Sequence, residues 1–65
     1  MDIVVTYKFI DRDLARRFAL HLIGYDIEFH YLKNETDNYE IIAVFDKYNH
    51  NMITPFSTLY DTITS

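Results

Sequence analysis

Tyr25-Asp-Ile-Glu-Phe-His-Tyr31 alternates between two kinds of side chain without a break. Tyr25, Ile27, Phe29 and Tyr31 fall on one side, and Asp26, Glu28 and His30 fall on the other. Successive side chains of a strand point to opposite faces. The run therefore predicts a half-buried strand with an aromatic core face and an acidic outer face.

Just upstream stands Gly24, the only glycine in the chain, where a left-handed helix C-cap would fall. The period before it is helical. Leu14, Phe18 and Leu22 stack in one stripe with Ala15, Ala19 and Ile23 beside them, and Arg16, Arg17, Leu20 and His21 fill the remaining circumference. Asp11 is the expected N-cap, and Asp13 adds favourable charge at that end and an i,i+4 pairing with Arg17. Earlier still, Ile3, Val5, Tyr7 and Phe9 alternate with Asp2, Val4, Thr6 and Lys8, which predicts a first strand.

Downstream, Asn34-Glu-Thr-Asp-Asn38 is a polar turn. A third strand is expected from about Tyr39 to Tyr48, with Tyr39, Ile41, Ala43 and Phe45 on one face. Ile42 and Val44 make the centre of its other face apolar too, as in a strand that lies inside a sheet. After a turn at residues 49–51, Thr54 reads as an N-cap and Pro55 as the first helical residue. Phe56, Leu59, Tyr60 and Ile63 then give a short amphipathic helix.

The expected order is β-α-β-β-α in one α+β domain over residues 1–65. A crossover followed by a hairpin permits the strand order 1-3-2, which places the two-sided apolar strand in the centre of a three-stranded antiparallel sheet, with both helices on the aromatic face. The layout resembles a ferredoxin-like sandwich lacking its last strand.

Size and charge narrow the function. A 65-residue chain without cysteine has neither disulfides nor thiolate metal sites, so its 5 Phe and 6 Tyr must stabilise it by packing. Sharing a core between two copies would help, so a homodimer is one expectation. A net charge of −4 disfavours nucleic acid and anionic membranes as direct partners. No run is long enough to span a membrane and the N-terminus lacks a signal-peptide layout, so a soluble cytoplasmic protein is expected. Plentiful Ile, Tyr, Phe, Asn and Asp, with little Gly, Pro or Ala, suggest an AT-rich coding sequence, as in many bacteriophages and low-GC bacteria.

Chemistry-bearing patterns are sparse. His21, His30 and His50 fall on different elements, with no spacing that would converge on a metal. Asp26, Glu28, Glu40 and Asp46 would lie on an open sheet face, without the concave, partly dry setting that acid–base catalysis needs. No nucleophile elbow exists, and one glycine cannot build a phosphate-binding loop. Arg12, Arg16 and Arg17 neighbour Asp11 and Asp13 and read as a solvated helix face. No enzyme activity and no cofactor are expected.

Two surfaces are left over. The outer sheet face would carry Val4, His30, Leu32, Ile42, Val44 and Tyr48, rimmed by Asp2, Asp26, Glu28, Glu40 and Asp46, which is the anatomy of a protein-binding patch. The outer edge of the first strand would have no partner, guarded only by Asp2 and Lys8, and could pair with a second copy. The expected function is a small acidic protein-binding module, a phage-encoded modulator or inhibitor of a host protein. One alternative is a nucleic-acid mimic whose carboxylates occupy a basic channel. The other is a homodimeric small-molecule binder or enzyme with its pocket at the interface.

Overall fold

In a computed structural model, which describes residues 2–36 and 38–65, the chain runs through β1 (Ile3–Phe9), α1 (Arg12–Gly24), β2 (Glu28–Lys33) and β3 (Tyr39–Phe45). A single 3₁₀ turn (His50–Met52) then leads into α2 (Ile53–Thr64). The sheet order is β1-β3-β2, and both outer strands are antiparallel to β3, so α1 is the crossover between two strands that run the same way. The expected α+β order and the central third strand are both present. Of the expected turn at residues 34–38, Asp37 lies outside the described residues; Asn34 N–H donates to the Asn38 carbonyl at 2.7 Å and closes the hairpin.

The register explains the two faces. Val5, Tyr7 and Phe9 of β1 lie opposite Ala43, Ile41 and Tyr39, and Phe29 and Tyr31 of β2 flank Ala43 and Ile41 from the other side. This is the inner face. It is closed by Ala15, Phe18 and Leu22 from α1 and by Phe56 from α2, all buried. Phe18 is the hub, with ring centroids 4.5 Å from Tyr7, 5.5 Å from Phe9, 5.7 Å from Phe56 and 6.1 Å from Tyr60. Such tilted and edge-to-face pairs add to the area each ring buries.

Four sequence expectations change. Asp11 caps α1 as expected, its Oδ1 accepting from the Asp13 N–H at 2.8 Å, but the helix end differs. Gly24 is still helical, and Asp26 takes the left-handed conformation with φ 59°. The Asp26 N–H donates to the Ile23 carbonyl at 3.0 Å and the Ile27 N–H to the Leu22 carbonyl at 2.9 Å. This is a Schellman closure with buried Ile27 placed against buried Leu22. Hence β2 begins at Glu28 instead of Tyr25; the alternating run straddles a helix cap and a strand.

Strand β3 ends at Phe45, short of Tyr48, because the Asp46 carboxylate turns the chain. It accepts from the Tyr48 N–H at 2.8 Å and the Asn49 N–H at 3.2 Å, while the Asp46 N–H donates to the Asn49 side chain at 2.7 Å. The last helix starts at Ile53, ahead of the expected Thr54 cap. Pro55 falls at its third residue, still within the first turn, where an N–H has no intrahelical acceptor to lose.

Candidate protein-binding surface

The outer face is built by the residues that alternate with the core. Reading across the sheet, Val4 lies beside Val44 and Val44 beside Glu28; Thr6 lies beside Ile42 and Ile42 beside His30; Lys8 lies beside Glu40 and Glu40 beside Leu32. Val4, Val44, Ile42 and Leu32 therefore form an apolar diagonal from one edge to the other. Val4 and Leu32 are exposed, whereas Ile42 and Val44 are half-buried between their neighbours. Neither helix covers this side, since both contribute their buried residues to the inner face.

Of the expected surface residues, Val4, Glu28, His30, Leu32, Glu40, Ile42 and Val44 come together. Asp26, Tyr48 and Asp46 do not. Asp26 belongs to the cap of α1, outside β2, and Tyr48 sits in the turn after β3, 81 % exposed, with the Lys47 ammonium 5.0 Å from its ring centre. Asp46 is spent on the turn's backbone amides. Of the four carboxylates weighed for acid–base work or phosphate mimicry, Glu28 and Glu40 lie within the sheet, whereas Asp26 belongs to the cap of α1 and Asp46 to the turn after β3. Among the described residues no cluster of His, Asp or Glu could hold a metal, and no helix is long and apolar enough to cross a membrane.

Among the described residues, one pKa departs clearly from its ordinary value, and it belongs to a core residue. Burial raises the Tyr7 phenol above its ordinary value of 10.0, with the nearby Ser57 hydroxyl opposing it weakly. The Tyr7 hydroxyl is buried and has no partner of full hydrogen-bond geometry.

The edges are unequal. The Tyr60 hydroxyl donates to the Lys8 carbonyl at 2.6 Å, so α2 reaches the end of β1. β2 is equally an edge strand, which sequence reasoning did not single out. Beside it runs an open groove of about 700 Å³ between α1 and the inner side of β2, lined by Arg12, Arg16, Ala19, Leu20, Ile23, Phe29 and Tyr31. The groove exists because the rings of α2 stack on β1 and β3, leaving the β2 end of the inner face to α1 alone. The signal for it in the sequence is an apolar surplus on α1: Leu20 and Ile23 lie outside the Leu14-Phe18-Leu22 stripe.

Compared with protein-family models, curated proteins and solved structures, the chain matches none.

Proposed function

We propose that the chain is a small non-enzymatic protein-binding module that works through its outer sheet face. One observation carries the reading: Val4, Val44, Ile42 and Leu32 form a continuous apolar track across all three strands with no helix over it, bordered by Glu28, His30, Thr6 and Lys8. An apolar centre with a polar border is how protein interfaces are made. The narrower version, a phage-encoded modulator or inhibitor of a host protein, rests on residue usage.

The test is affinity capture from cell lysate with the wild-type chain and with Val44→Glu and Val4→Glu baits, each checked for an unchanged circular dichroism spectrum. A protein retained by the wild type and lost by both variants supports the reading. Equal retention by all three would sink it. Capture that collapses at high salt while tolerating both substitutions would favour phosphate mimicry instead.

A further inference from the structure

The groove between α1 and β2 lies on the opposite side of the sheet from the outer face, and its residues specify a partner of different character. Tyr31 of its floor is 40 % exposed, and on α1 Leu20 and Ile23 are 65 % and 60 % exposed. The first half of α1 supplies Arg12 and Arg16 to the same groove. Among the described residues neither guanidinium has a carboxylate within ion-pair distance, although the chain carries a net charge of −4. The floor ends at the outer backbone edge of β2, where among the described residues positions 28–32 pair with no strand but β3.

We infer that this groove receives an extended acidic–apolar segment of another protein, added as a fourth strand along β2. Added strands take their affinity from main-chain hydrogen bonds and their specificity from pockets for alternate side chains. Inward side chains of such a strand recur every second residue, about 7 Å apart. Apolar ones lie over Phe29 and Tyr31 against Leu20 and Ile23, and a carboxylate at the other end of the groove meets Arg12 and Arg16. Guanidinium groups bind carboxylates through paired, charge-assisted hydrogen bonds.

Charge complementarity selects this occupant over a second copy. Two copies joined edge to edge about a two-fold axis would turn the arginine end of each groove toward the apolar end of the other. The lining of the other groove offers those cations no carboxylate. The inference is independent of the outer face, and the experiment keeps the two apart.

The probe is a labelled synthetic peptide in which threonine alternates with leucine, leucine and glutamate, read by fluorescence anisotropy against the intact chain. A matched peptide carries lysine in place of glutamate, and both are made in either sequence direction. The glutamate peptide is expected to bind about tenfold or more tightly than the lysine one, the size of one charge-assisted contact. Arg12→Glu with Arg16→Glu reverses the preference, and Arg12→Gln with Arg16→Gln abolishes it. Both arginines are exposed, so these variants keep the fold. Val44→Glu binds the peptide as the wild type does, and amide shifts on binding fall on β2. Equal binding of the two peptides, indifference to the arginine substitutions, or shifts along β1 would overturn the proposal. So would displacement of the peptide by oligothymidylate, or a dimer in sedimentation equilibrium that the arginine substitutions dissociate.

Discussion

Asp26 holds the left-handed backbone conformation that a glycine tolerates best, while the chain's only glycine, two residues earlier, is helical. Both positions are open to improvement. Asp26→Gly is expected to stabilise the fold by about 0.5–1 kcal/mol, because an L side chain is strained at positive φ. Gly24→Ala should add about 0.5–1 kcal/mol through helix propensity. A Cβ at residue 24 would meet nothing within 4 Å. Urea midpoints that rise at constant m would verify both; a fall for Gly24→Ala would contradict the cap assignment. Tyr7 is the other unsettled residue. Its buried hydroxyl has the Ser57 side chain beside it but no well-formed hydrogen bond, so Tyr7→Phe should lie between neutral and a stabilisation of about 1 kcal/mol. The raised phenol pKa gives a pH signature. The folded chain holds this proton more tightly than the unfolded chain does, so stability is unaffected below pH 10.0 and falls as pH rises beyond it. Thermal melts between neutral and strongly alkaline pH should show a smaller loss for Tyr7→Phe than for the wild type.

Elements explain which parts of the structure were legible in the chain. The two-sided apolar pattern at Ile42 and Val44 marks β3 as central, because only a strand with neighbours on both sides half-buries its outer residues. The stripe Leu14, Phe18, Leu22 marks α1 because nothing but a helix aligns those positions. The start of β2 was not legible. Tyr25 continues the alternation by chance of residue type, and the Schellman hydrogen bonds that claim Asp26 and Ile27 depend on the helix already being there. Tyr48 misled for a similar reason: the Asp46 and Asn49 side chains close a turn that the apolar pattern does not register. The groove was signalled only by the apolar surplus at Leu20 and Ile23; its place depends on where α2 sits, and pairing between helices is not a local property. One contact ties that helix down. Tyr60→Phe deletes the hydroxyl that reaches the Lys8 carbonyl and should cost about 1 kcal/mol while its ring stays packed on Phe9. Hydrogen exchange should then accelerate in α2 first, and unchanged exchange there would mean the bond is not made in solution.

At the scale of the whole molecule, one aromatic residue joins every layer. Phe18 touches rings of β1 and α2 and is fully buried beneath both. A chain of 65 residues has a total stability on the order of 3–10 kcal/mol. Phe18→Ala should cost about 3–5 kcal/mol, about a third of that total at least, and so lower the melting temperature by tens of degrees or abolish folding. Circular dichroism would show this directly; a melting temperature within a few degrees of wild type would mean that the core is organised around some other residue.

The strand order also dictates a timetable. β1 is made first, yet its only strand partner is β3, and ribosomal synthesis must reach Phe45 before that ladder can be complete. β2 and β3, by contrast, are joined by a short turn and can pair as soon as both exist. Closing a short loop costs less entropy than closing a long one, so the β2–β3 hairpin should form early and capture β1 afterwards. Until then β1 waits with α1 as its nearest shelter, and its capture by the finished hairpin, the pairing that closes the longest loop, is the slow step.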